Sequence, residues 1–246
     1  MQTATNKKTL TLNKLMPDFS QRSTQSELMD DFSMPAQDLY QNLREIERIN
    51  IQLGGHGVTI NGIKKYIKKH NPNSIITLAD IGCGGGDTLR YIYQWANKKN
   101  VAIQLTGLDY HPVMIQYAQE NSQQLPIHYH LQNVFEIEQK YDITTCSLFC
   151  HHFEDEKLIL LLRKLYTITN RLILINDLHR HWFAYYSIKY LTRWLKGSYL
   201  VQNDAPLSVL RGFKKKEWRV ILDKAGLKNA QIQWKWAFRH QILIWL

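Results

Sequence analysis

The chain has 246 residues, 44% of them hydrophobic and 21% charged, which is enough apolar material for one sizeable core. Its 12 Gly, 6 Pro and 3 Cys exclude a collagen-like, a low-complexity and a disulfide-stapled chain. A formal net charge of +10 is compatible with nucleic acid, an anionic membrane surface or an acidic small molecule as partner.

Residues 1–22 are polar and without apolar period, so they read as a mobile N-terminal arm, and they lack the apolar stretch of a secretory signal. Residues 23–72 read as an N-terminal helical cover. One helix runs from Glu27 to Leu53, with Leu39, Leu43, Ile46 and Ile49 on one face and a stop at Gly54-Gly55; a second runs from Val58 to His70. From residue 73 onward the pattern changes. Apolar runs at 74–80, 101–109, 127–133, 141–148 and 171–177 read as strands, separated by helices at Asp87–Lys98, Pro112–Ser122 and Glu154–Thr169. Such alternation predicts a parallel sheet with helices on both faces. A segment rich in aromatic residues, 182–195, is too short to span a membrane and carries Lys189 and Arg193; together with three unevenly spaced thiols this predicts a cytoplasmic protein. The chain closes with a helix at Lys214–Lys224, a stop at Gly226 and two strands around a short turn. The lysine doublets and the triplet at 214–216 fall on the polar sides of these helices, as a solvated face requires.

The sharpest motif is Asp80-Ile81-Gly82-Cys83-Gly84-Gly85-Gly86-Asp87, where the first strand should turn into a helix. Glycines at 82, 84 and 86 let the backbone bend tightly and approach a ligand closely. A dinucleotide fingerprint would need Gly at 87, where this chain has Asp. Asp80 would repel a pyrophosphate and attract a sulfonium amino acid, so the loop favours S-adenosylmethionine over NAD. Asp109, 23 residues beyond Gly86 at the tip of the second strand, is placed to accept both hydroxyls of a ribose.

Residues 74–177 resemble class I S-adenosylmethionine-dependent methyltransferases, whose D-x-G-x-G-x-G motif corresponds to Asp80, Gly82, Gly84 and Gly86. The resemblance implies a Rossmann-like, seven-stranded, mostly parallel sheet with an antiparallel last strand, forming one globular methyltransferase unit over 73–246 with the helical cover. It implies ribose binding by Asp109 and an adenine contact from Asn133, where the family more often has Asp. Cys83, Tyr110, Val134 and Ser147 complete the expected cofactor contacts. The stretches RSTQSELMDD (22–31), SLFCHHFEDE (147–156), INDLHR (175–180) and DAPLSVLRGF (204–213) resemble a bacterial subgroup whose genes often accompany type III polyketide synthases. That likeness implies secondary metabolism and a phenolic or polyketide-derived acceptor.

Methyl transfer from a sulfonium needs alignment and, for a hydroxyl acceptor, a base. His151 and His152 after the fourth strand are the first candidates and His179 after the fifth is the next, each against the alternative of a structural histidine. Arg180, Tyr186 and Arg211 are the candidate substrate contacts, with the aromatic helix as core, lid or interfacial surface. Thr24-Gln25-Ser26-Glu27 fits a helix capping box, so Glu27 need not touch ligand. Asp30-Asp31 has no third ligand at metal-like spacing and the cysteines lack zinc spacing, so the reaction is expected to be metal-independent. The alternatives are an RNA or DNA methyltransferase, which lacks its Asn/Asp-Pro-Pro-aromatic segment here, and a cofactor-binding module without chemistry.

Overall fold

The computed structural model describes residues 17–72 and 74–246. The cover begins with a 3-10 turn at Leu28–Asp30, followed by α1 (Ala36–Gln52) and α2 (Gly55–His70). The single helix expected from Glu27 therefore breaks, because Pro35 stands at the N-cap of α1 and its ring cannot sit inside a continuing helix. Gly54, at φ 68°, makes the left-handed junction that ends α1, and α2 starts directly after it, three residues before the predicted Val58.

The α/β unit follows as β1 (Ile76–Ile81), α3 (Asp87–Lys99), β2 (Ile103–Asp109), α4 (Pro112–Glu120), β3 (Ile127–Leu131), β4 (Tyr141–Ser147), α5 (Asp155–Ile168) and β5 (Thr169–Leu178). Then come α6 (Trp182–Trp194), α7 (Tyr199–Arg211), α8 (Lys215–Lys224), β6 (Gln231–Lys235) and β7 (Arg239–Trp245). The seven strands form one sheet in the order β3-β2-β1-β4-β5-β7-β6. Pairings are parallel from β3 to β5, while β7 lies antiparallel between β5 and β6, as the predicted closing hairpin requires. Helix α7 was not foreseen, because Pro206, which lies inside it, reads as a helix breaker.

Burial on both faces explains the continuous apolar runs. On β5, Ile173 and Ile175 pack with Leu158, Leu161 and Leu165 of α5 and Trp218 of α8; Leu172 and Leu174 pack on the other face with Ile63 of α2 and Ile92 of α3. Residues 17–22, expected to belong to the mobile arm, are tied to the body: Arg22 bonds Asp155 at 2.6 Å and the carbonyl of Phe153 at 2.8 Å, and the Phe19 carbonyl accepts from Arg180 at 3.1 Å. Residues 1–16 of that arm lie outside the described residues. Strand order reverses between β1 and β4, so the loops leaving their carboxyl ends diverge and open a crevice.

Candidate active site

A cavity of about 550 Å³ fills that crevice and extends beneath the helical cover. At one end stands the glycine loop. Gly84 has φ +51°, and a Cβ placed on it would meet no atom within 4 Å, so its backbone borders open cavity. Gly86 serves differently: it is the left-handed N-cap of α3, and a Cβ there would strike the Tyr129 hydroxyl at 2.4 Å; it does not line the cavity. Asp109 accepts the Gly84 N–H and the His111 N–H, each at 2.9 Å, so the tip of β2 holds the glycine loop and still lines the cavity. Burial raises its pKa, and these backbone donors oppose the rise. Asp80 is fully buried and accepts the Thr145 hydroxyl at 2.6 Å; burial pushes its carboxyl up to about 8. It therefore stands without the compensating cation that a buried carboxylate needs.

Cys83, Tyr110 and Ser147 line the cavity. Asn133 and Val134 do not. The Asn133 carboxamide accepts the Phe135 N–H at 3.1 Å to cap the Val134–Glu136 turn, and Val134 packs in the core. In their stead His111 borders the cavity with both ring nitrogens buried and unpartnered. Arg239 was also missed. Its guanidinium is buried, bonds Asn50 at 2.8 Å, leaves Nε unpartnered and forms no salt bridge among the described residues. Nothing in the closing hairpin's strand pattern marks this residue, which enters the site only because β7 inserts beside β5.

The other end carries the histidines. His151 and His152 sit on a 3-10 turn (Cys150–His152) directly after β4. His151 Nδ1 donates to Asp177 at 2.7 Å, and its Nε2 lies 3.5 Å from Glu27. Burial pulls this imidazole down, but Asp177 and Glu27 outweigh it and raise it to about 9. Burial works against ionisation of Glu27 too, and His152, His151 and the Ser208 hydroxyl nevertheless hold it at about 2. The two carboxylates thus favour the protonated form of His151, which disfavours it as a proton acceptor in this arrangement. His152 differs: Nδ1 meets Asp30 at 2.9 Å, Nε2 faces Glu27 at 4.0 Å, and the ring lines the cavity. The capping-box reading of Glu27 fails, because no α-helix begins there; Glu27 is 3% exposed and lines the cavity.

Four further expected site residues, Arg180, Arg211, His179 and Tyr186, lie elsewhere. Arg180 is buried away from the cavity, bonding the Gly212 carbonyl at 2.6 Å and both oxygens of Glu217. Arg211 spends its guanidinium on the carbonyls of His151 (3.1 Å), His152 (2.7 Å) and Gln25, so it clamps the histidine turn to the Glu27 segment instead of reaching an acceptor. His179 lies outside the cavity, and burial with His240 and His181 nearby lowers it to about 4. Tyr186 turns toward Phe19 and Tyr190, whereas Phe183, Ala184, Ser187, Ile188 and Leu191 present the cavity-facing side of α6. With Trp236 and Phe238 from the hairpin turn they make that wall apolar.

Residues 78–171 match the family described as methyltransferase domain. The plantazolicin methyltransferase BpumL in complex with SAH is 18% identical, covering 87% of this chain and 91% of that one, with a TM-score of 0.64. Magnesium protoporphyrin IX methyltransferase from Synechocystis PCC 6803 with bound SAH is 17% identical over 77% of this chain and 82% of that one, TM-score 0.52. The CurJ carbon methyltransferase is 15% identical over 74% and 51%, TM-score 0.55. These likenesses establish a Rossmann-like methyltransferase fold. No curated protein matches the chain.

Proposed function

We propose that this methyltransferase-domain chain uses S-adenosylmethionine to methylate a small lipophilic acceptor, phenolic or polyketide-derived, at a hydroxyl oxygen. The observation that carries the reading is the two-ended cavity: a carboxyl and a guanidinium, each without a salt-bridge partner among the described residues, toward the glycine-loop end, and apolar walls leading to the histidines. The charges complement an amino acid that bears a carboxylate and two cationic centres, with Arg239 for the carboxylate and Asp80 for the cations. Asp109 would hold the ribose hydroxyls and His111 the base. When bound, S-adenosylmethionine supplies an electrophilic methyl group on a positively charged sulfur.

The chain's own residues must then exclude water, orient the acceptor and take its proton. Phe183, Ile188, Leu191, Trp236 and Phe238 supply the apolar enclosure. Asp30 accepts from Nδ1 of His152, which fixes the tautomer and leaves the Nε2 lone pair for an acceptor hydroxyl. Arg239 is the sole arginine lining the cavity and no lysine joins it among the described residues, so the lining offers little to a nucleic-acid backbone. No described helix is long and apolar enough to cross a membrane. Three buried, free cysteines accord with a cytoplasmic enzyme.

The test is a panel of phenols, quinols, alkylresorcinol-like lipids, amines and RNA incubated with methyl-labelled cofactor, with products identified by NMR. Label appearing as a methoxy group on a phenolic lipid is the expected result. Label confined to RNA or to an amine would reject the acceptor assignment.

A further inference from the structure

Glu27, His151 and His152 are brought together from segments more than a hundred residues apart, and each projects a donor atom into one small volume. One nitrogen of each imidazole and a Glu27 oxygen lie within 4.8 Å of one another, and the two imidazole centroids are 4.4 Å apart. Each imidazole has Nδ1 occupied by a separate carboxylate, Asp177 at 2.7 Å and Asp30 at 2.9 Å. A carboxylate can only accept, so Nδ1 carries an N–H in both rings and Nε2 is the atom aimed at Glu27; on His151 a bound ion would take the place of the proton that Nε2 shares with Glu27. Metal-binding histidines are oriented in this way, with an outer carboxylate fixing the tautomer and raising the basicity of the ligating nitrogen.

The cluster is also preorganised. Arg211 joins the carbonyls of Gln25, His151 and His152, and the Asp204 carboxylate accepts the N–H groups of Leu28 (2.9 Å) and Met29 (3.0 Å), fixing the backbone on both sides of Glu27. Metal–ligand bonds of about 2.1 Å place ligand atoms roughly 3.0–3.5 Å apart. His151 Nε2 lies 3.5 Å from Glu27 Oε1 and His152 Nε2 lies 4.0 Å from Glu27 Oε2, so the two oxygens of one carboxylate face the two imidazoles at separations close to that spacing.

We propose that Glu27, His151 and His152 form a binding site for one divalent transition-metal ion, with zinc as the first candidate, whose open coordination position faces the acceptor end of the cavity. Two imidazoles and one carboxylate suit zinc, iron(II) or cobalt(II) better than magnesium or calcium, which take oxygen ligands. Three protein ligands with an open position is the arrangement of a catalytic centre, whereas structural zinc sites are closed by four. All three ligands line the cavity. The site reverses the expectation of a metal-independent reaction, which rested on spacing along the chain.

Its role in the reaction rests on the proposed function. An acceptor hydroxyl bound to the ion would lose its proton to solvent water, and its oxygen keeps the electron pair. That pair forms the new bond to carbon as the carbon–sulfur bond breaks with its electrons on sulfur.

The experiment starts from the full chain stripped with chelator. Zn²⁺ is titrated by calorimetry and Co²⁺ by its visible absorption, alongside separate measurements of cofactor affinity and of turnover with the phenolic panel. One tightly bound ion per chain is expected, with a cobalt spectrum of nitrogen and oxygen ligation. His151→Ala, Glu27→Gln and the more conservative His152→Gln should each weaken that binding by about 100-fold or more, and Asp177→Asn by about 10–100-fold. Unchanged cofactor affinity in His152→Gln shows that it is folded. Wild type that takes up neither ion, or variants that bind as well as wild type, would overturn the site. Turnover without ion uptake would sink the metal site and leave the methyltransferase reading standing; ion uptake without phenol turnover would do the reverse.

Discussion

The two ends of the cavity are built in opposite ways. The glycine-loop end, proposed for the cofactor, is made by short, contiguous segments at the tips of β1 and β2, of backbone groups and one buried carboxyl. The histidine end, proposed for the acceptor, is assembled from the cover, the turn after β4, α6 and the β6–β7 turn, and it depends on side chains held by other groups. A site written in backbone geometry tolerates no Cβ, whereas one written in side-chain networks fails by loss of polarity or position. Substitutions at the two ends should therefore separate cofactor binding from turnover.

The largest separation is expected from Gly84→Val. A Cβ at this position meets no protein atom within 4 Å and points into the cavity, so the fold should survive with about 1–2 kcal/mol lost to the left-handed backbone, while calorimetry should find cofactor binding abolished. A folded Gly84→Val protein that binds cofactor normally would place the cofactor elsewhere. At the other end, His152→Ala should lower turnover by about 10²–10⁴ with cofactor affinity unchanged. Equal losses in both quantities would erase the distinction between the ends.

Asp109→Ala should weaken cofactor binding by about 2–4 kcal/mol, since charge-assisted hydrogen bonds to the ribose go and the Gly84 and His111 N–H groups lose their acceptor. Arg180→Ala sharpens the boundary of the site. Loss of the pairing with Glu217 should cost about 3 kcal/mol in unfolding experiments and leave the acceptor KM unaltered; a raised KM with normal stability would return Arg180 to the site.

The most diagnostic effect is a pH slope from Asp80. Its pKa is raised from 3.8 to about 8, so the unfolded chain releases this proton well before the folded chain does. The stability contributed is complete below pH 3.8 and is lost as pH rises toward 8, by at most about 1.4 kcal/mol per pH unit. Denaturation of wild type and Asp80→Asn between pH 5 and about 8 should show this slope in wild type alone. Saturating S-adenosylmethionine should reduce it, because a nearby cation favours the ionised carboxyl. A slope shared by both proteins would assign it to other groups.

The amino-acid sequence determined the strand–helix alternation, the antiparallel close and the glycine loop with Asp80 and Asp109, because periodicity, turn chemistry and short-range spacing are local properties. It misread the segment at 27–35 and missed α7, where Pro35 ends a helical pattern and Pro206 is tolerated within one; identical residues have different consequences when the surrounding packing differs. Only the tertiary structure decided that Glu27 meets His151 and His152, that Arg239 faces the cavity, and that Arg180 and Arg211 are consumed by carbonyls and a carboxylate. A side chain's partner depends on which elements the sheet order makes adjacent. Burial then turns those encounters into shifted charges, and no spacing along the chain records either effect.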